Sequence, residues 1–222
     1  EQCRAEHGVT PVGLLERVDA LGPGTTAVHA IHLAAADVEA LGRARATVCA
    51  CPTTERDLGD GVVPADALLR AGASLALGVD SHVQVDLLED ARALEGNLRL
   101  LRRERGVLAE ASGDGRIDAL AARLHAIASA GGMRSLGLEG GSLRPGEPAD
   151  FLAVDLGDSS VAGASALDLL PTVVFSAART AVTDVVVEGV DVVRDRAPAP
   201  GRPPPTAVVA DFAHTMRKLW GG

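Results

Sequence analysis

The 222-residue chain is 47% hydrophobic with a mean hydropathy of +0.18, which is ample material for one large domain or two small ones. Its formal charge of −9, with no Lys/Arg run interleaved with aromatics, disfavours binding to nucleic acid or to an anionic membrane. No uninterrupted apolar stretch has the length of a membrane-spanning helix, and the N-terminus lacks a charged-then-apolar signal pattern.

Aromatic residues make up 2% of the chain and tyrosine is absent, so the core must be built from Ala, Val and Leu. The cysteines are Cys3, Cys49 and Cys51. An odd count in a chain too long to need disulfide staples points to a reducing, cytoplasmic setting. The first residue is Glu1 rather than Met, as expected of a processed chain or a piece of a longer one.

In chain order, helical periodicity over residues 11–21, 34–44, 64–71 and 85–105 alternates with short apolar or β-branched runs at 25–30, 46–50 and 73–79. Strand and helix at this spacing predict βαβ units and a parallel sheet. Each predicted strand ends in polar or reactive residues: His29, then Cys51-Pro52-Thr53-Thr54-Glu55, then Asp80-Ser81-His82. In a (β/α) barrel such strand ends gather the chemistry; an open doubly wound sheet would gather it in a crevice instead. Arg102, Arg103 and Arg105, beside Glu104, read as a solvated helix face.

Helical periodicity returns over 117–136, and then the texture changes. Residues 140–146 are turn-rich, and 151–156, 184–188 and 190–194 read as strands around a Glu188-Gly189 turn. Residues 197–205 form a Pro-rich linker before an amphipathic helix over 206–219.

Asp80 follows an apolar strand, and a carboxylate buried there needs a metal, a cluster of donors, or a role as the N-cap of the next helix. His29 and His32 lie three apart, a spacing that suits two metal ligands if the chain turns helical and opposite faces if it stays extended. Cys49 and Cys51 share a strand face and would complete a Cys₂His₂ set, although buried free cysteine more often packs as a small hydrophobe. Glu55, Asp57 and Asp60 fall in a polar loop, 51–61, that either lines a pocket or merely turns the chain.

Taken together, these motifs are similar to one family. Glu1-Gln2 resembles the end of a His-x-Ala-Glu-Gln segment, and Val28-His29-Ala30-Ile31-His32 resembles a Val-His-Ala-Thr-His stretch. Cys51-Pro52-Thr53-Thr54-Glu55 with Leu58-Gly59-Asp60-Gly61 matches a Cys-Pro-Thr-Thr-Glu…Leu-Gly-Asp-Gly loop. Gly78-Val79-Asp80-Ser81-His82 resembles Gly-Ser-Asp-Ser-His, with Val79 in place of Ser. The chain thus resembles the formimidoylglutamate deiminase family of the amidohydrolase superfamily.

The resemblance implies an α/β fold: the C-terminal half of a (β/α)8 TIM barrel over 1–139, part of a small β-sandwich over 140–196, and a Pro-rich linker and helix over 197–222. It implies one Zn²⁺ with Asp80 as a metal ligand, Glu1 as catalytic proton shuttle and His29 stabilising charge at the reacting carbon. The implied reaction is deimination of N-formimino-L-glutamate to N-formyl-L-glutamate and ammonia, with a small-molecule substrate as partner and a homodimer left open. The family's remaining histidine ligands would lie upstream of residue 1, so the isolated chain, with an open barrel edge, is expected to be inactive and poorly soluble. The alternatives are a deaminase of guanine or a related heterocycle, and a non-catalytic interaction module.

Overall fold

The structure is a computed structural model that describes residues 1–109 and 117–221. They form two compact units: the described residues of Glu1–Ser142 with Ala164–Ala177, and those of Leu143–Gly163 with Ala178–Gly222. Among the described residues, no helix is long and apolar enough to cross a membrane.

The first unit begins with α1 (Gln2–His7) and α2 (Pro11–Arg17), both short. Thr10 caps α2 by accepting the Gly13 N–H at 3.0 Å, and its own hydroxyl donates to Asp37. There follow β1 (Thr26–Val28), α3 (Ala35–Arg43), β2 (Thr47–Ala50), α4 (Pro52–Leu58), α5 (Ala65–Ala71) and β3 (Ser74–Leu77). The strands pair in parallel in the order β1-β2-β3, with Thr26 opposite Thr47 and Thr47 opposite Ser74. All three therefore end on the same side, at His29, Cys51 and Gly78–Asp80.

The core matches the composition. Val48 and Ala50 of β2 and Leu75 and Leu77 of β3 pack with Leu41 of α3 and Leu68 of α5. Leu94 and Leu98 of α6 (Leu87–Arg102) and Leu120 and Leu124 of α7 (Ile117–Ala126) complete it. Burying each such leucine contributes about 1.5–3 kcal/mol, so aliphatic packing alone can carry an interior this poor in aromatics. Close approach replaces bulk elsewhere. A π-helical turn at Ile127–Gly131 lies so near β3 that a Cβ on Gly131 would sit 2.3 Å from the Leu75 carbonyl oxygen. The short α8 (Gly132–Ser135) ends the segment.

Three expectations are corrected. The polar loop 51–61 is largely α4: Pro52 occupies the first turn, where its missing N–H costs nothing, and Gly59 closes the helix at φ 71°. The arginine cluster is not all solvated face. Arg102 reaches Asp66, which is 6% exposed, through Nη2–Oδ1 at 2.9 Å and Nε–Oδ2 at 3.2 Å, and Arg70 adds a bond of 2.9 Å. Nor is Asp80 the cap of the next helix. Asp86 caps α6, accepting from Leu88 N at 3.0 Å and Glu89 N at 3.2 Å.

Burial pushes the Asp66 carboxyl up, but the hydrogen bonds from Arg102 and Arg70 outweigh it and leave the group below the ordinary aspartate range. A depressed folded value contributes stability that is present above the unfolded pKa of about 3.9 and is lost as pH falls through the folded one. Arg102→Met is therefore expected to lower the urea midpoint more at pH 7 than at pH 3. Equal shifts at the two pH values would remove Arg102 as the cause.

The second unit holds an antiparallel sheet in the order β4-β5-β6-β7: Phe151–Val154, Val182–Val187, Val190–Arg194 and Ala197–Pro198. Glu188 and Gly189 link β5 to β6 with φ 50° and 75°, the paired left-handed conformations a two-residue hairpin needs. The last strand lies inside the stretch expected to be a linker, and Pro198 is tolerated because β7 is an edge. The helix α9 (Leu169–Ser176), absent from the sequence-based elements, packs in the first unit with Val174 fully buried. Helix α10 (Pro205–Trp220) closes the described chain.

Candidate active site

The site is built where the three parallel strands stop. Past β1, the His29 N–H still bonds Cys49 O across the sheet at 2.8 Å, and Ala30 N then bonds Val28 O at 2.8 Å. That closes a three-residue turn around His29, whose φ is 63°. Asp80, past β3, also has a positive φ, 54°. Aspartate and histidine enter this region more readily than bulky residues.

Between them stands Glu55, 2% exposed, in the first half of α4. Its Oε1 accepts the Cys51 N–H at 2.8 Å and lies 3.4 Å from His29 Nδ1. On the other edge of the ring, His29 Nε2 is 3.7 Å from Asp80 Oδ2, inside ion-pair range and beyond a direct hydrogen bond. Burial raises the Glu55 carboxyl, partly offset by the Cys51 N–H and by His29. The His29 and Asp80 side chains are 35% and 47% exposed, so a solute reaches this end of the row and not the Glu55 end.

Two further carboxylate and hydroxyl contacts fix the surroundings. The Thr54 hydroxyl is 2.9 Å from both Val79 O and Ser81 Oγ and accepts Ser81 N at 3.1 Å, which pins the turn carrying Asp80 to α4. Asp90 of α6, 0% exposed, accepts Thr53 N at 3.0 Å, and its burial pushes its carboxyl up. Neither residue stood out in the sequence. The Thr-Thr of Cys51-Pro52-Thr53-Thr54-Glu55 was the available signal, once Pro52 is taken as a helix start.

The thiols lie under the same turn. A Cβ on Gly78 would be 3.2 Å from the Sγ of both Cys49 and Cys51, so the two sulfurs flank one glycine. A hydrogen bond between them holds Cys49 below the usual thiol range; the same bond, together with burial, pushes Cys51 up. Of the other candidates, His32, His82, Asp57 and Asp60 are exposed, whereas Glu55 from the same segment turns inward. Glu1 is exposed at the start of α1 and forms no hydrogen bond or ion pair with His29 or Asp80.

Among the described residues, no group of three or more His, Cys, Asp or Glu side chains can hold a metal ion. A catalytic zinc takes three protein ligands, so the set present here does not by itself fit one, and the Cys₂His₂ arrangement does not form. What the arrangement offers is an imidazole anchored on a buried carboxylate, its far edge beside an exposed carboxylate.

Comparison with known proteins shows the family. A model of the amidohydrolase family matches residues 1–192. The chain is 36% identical over 195 residues to formimidoylglutamate deiminase of Pseudomonas aeruginosa, a match covering 88% of this chain and 42% of that protein. It is 30% identical over 200 residues to a 5-methylthioadenosine/S-adenosylhomocysteine deaminase of Pelotomaculum thermopropionicum, covering 88% and 43%. The crystal structure of an adenosine deaminase from Xanthomonas campestris with bound zinc superimposes with a TM-score of 0.82 at 26% identity, covering 98% of this chain and 47% of that one. The chain thus spans less than half the length of each of these relatives. With a family match over most of its residues and a mixed α/β fold shared with that adenosine deaminase, the chain belongs to the amidohydrolase family.

Proposed function

We propose that the complete protein hydrolyses N-formimino-L-glutamate to N-formyl-L-glutamate and ammonia, a step of histidine breakdown in the cytoplasm. The observation that carries this reading is the row Glu55–His29–Asp80 at three adjacent parallel strand ends, set in the Cys-Pro-Thr-Thr-Glu and Asp-Ser-His motifs. The 36% identity to a formimidoylglutamate deiminase supports the choice of substrate. In this reading the parallel unit is half of a (β/α)8 barrel, the antiparallel unit is part of a β-sandwich, and the strand-end row faces the reacting group.

A divalent metal, when bound, would make a nucleophile of water at neutral pH. Asp80 is the ligand this chain would contribute, and the others would come from outside residues 1–222. His29, exposed on its Nε2 edge, would hydrogen-bond the attacking water or the substrate there and help to stabilise charge as the tetrahedral intermediate forms. Glu1 would carry a proton from water to the departing nitrogen. These roles follow the resemblance; Glu1 would need the complete protein around it to reach the site.

The experiment is ammonia release by the complete protein from N-formimino-L-glutamate, 5′-methylthioadenosine, S-adenosylhomocysteine and guanine. Turnover of the formimino compound at a kcat/KM at least about 100-fold above the heterocycles is expected, since a site built to pair a polar substrate rejects analogues lacking those groups. Preference for methylthioadenosine would transfer the chain to the second group of relatives. Release from none of them would leave the non-catalytic reading standing.

A further inference from the structure

We infer that Glu55 is a positioning residue: its buried carboxylate holds the His29 ring so that Nδ1 carries the proton and Nε2 is presented toward Asp80. The inference rests on the catalytic role proposed for His29. It starts from three distances. Glu55 Oε1 lies 3.4 Å from His29 Nδ1 and 2.8 Å from the Cys51 N–H, while His29 Nε2 lies 3.7 Å from Asp80 Oδ2. An ionised carboxylate only accepts hydrogen bonds. Two carboxylates flank the ring, and Glu55 is the nearer and the buried one, so Nδ1 is the nitrogen set to donate and Nε2 is left as the accepting edge of the neutral ring.

A single backbone N–H does not require this residue. The Cys51 amide could be capped by a short polar side chain or by water, yet a full glutamate is placed here at 2% exposure. The additional contact made by Oε1 is the imidazole. The backbone works toward the same end. His29 sits in a tight turn at φ 63°, so few rotamers keep its ring over the strand ends, and a buried acceptor selects among them. Glu55 is itself fixed, because α4 is tied to α6 through Thr53 N and Asp90, and to the Asp80 turn through Thr54. An anchor on a rigid element orients a ring better than one on a loop.

The test uses the complete protein with ¹⁵N-labelled histidine. A ¹⁵N–¹H correlation reads which nitrogen of His29 is protonated, with the signal identified by its loss in His29→Ala. The Nδ1-protonated form is expected for the native protein, and a mixed or Nε2-protonated ring for Glu55→Gln. In parallel, Glu55→Gln should lower kcat about 10- to 100-fold with KM within about threefold. In the His29→Ala background the same change should cost less than about twofold, because the two residues act as one unit. An unchanged tautomer, or equal kcat losses in both backgrounds, overturns the inference. If Glu55→Gln does not fold, Glu55→Asp carries the same measurements, since its shorter arm withdraws the acceptor while keeping the charge. Full turnover by His29→Ala would instead defeat the role proposed for His29, and the tautomer measurement would still decide whether Glu55 sets the ring.

Discussion

Replacing Asp80 by asparagine in the complete protein is expected to lower turnover by about 10³-fold or more, within the range a positioned proton-transfer or ligand group contributes. The substitution is chosen to spare the fold. Asp80 has φ 54°, a conformation asparagine enters as readily as aspartate, so the turn after β3 makes no new demand. Its side chain is 47% exposed and, among the described residues, has His29 as its ionisable partner within ion-pair range, while Thr54 holds the turn through Val79 and Ser81 rather than through Asp80 itself. Loss of the negative charge is therefore the main change. Steady-state ammonia release, with metal content and thermal unfolding measured on the same preparations, checks it. A variant that keeps its activity removes Asp80 from the mechanism; one that loses activity together with its melting transition reports on folding instead.

The largest loss of stability is expected at Glu95, away from the site. This carboxylate is 1% exposed and accepts three bonds: Arg99 Nε at 2.7 Å and Val107 N at 3.0 Å on Oε1, and Leu108 N at 3.0 Å on Oε2. It ties the chain leaving α6 back onto that helix and seats Leu108, itself 1% exposed, in the core. Glu95→Ala strands two backbone donors and vacates the space of the side chain. At about 1–3 kcal/mol for each buried group left without a partner, the total loss is about 3–5 kcal/mol. Glu95→Gln keeps an acceptor oxygen and should lose about half as much. Urea unfolding of both variants checks the order, and equal midpoints would show that the carboxylate does not hold this segment.

Much of the first unit was legible because its strands and helices differ in period. The runs at 25–30, 46–50 and 73–79 contain the three parallel strands, and His29, Glu55 and Asp80, from the polar residues that follow them, lie side by side. What escaped was whatever depends on partners distant in sequence. Arg102 looks solvated until Asp66, 36 residues earlier, is placed beneath it. Asp90 is one acid among several on a charged helix until Thr53 arrives to use it. The helix α4 was concealed by polar composition although its punctuation, Pro52 at the start and Gly59 at the end, was in view. Helix α9 carries Pro171 in its first turn, a place where proline is tolerated, and its length of 8 residues gives periodicity little room.

The course of the chain around α9 has a practical bearing on how this protein can be divided. The polypeptide leaves the parallel unit after Ser142, returns to it over Ala164–Ala177, and leaves again. On that return, Arg92 holds the carbonyl oxygens of Val174 and Ala177, each at 2.7 Å, and the Val174 side chain is sealed in the aliphatic core. A stop codon after residue 142 would not release a self-sufficient module. It would remove a wall of the interior and strip the half-buried Arg92 guanidinium of its carbonyl partners, leaving it only Glu89 at 3.7 Å. The first unit is discontinuous in sequence, so a graft or truncation that respects it must carry Ala164–Ala177 as well as Glu1–Ser142.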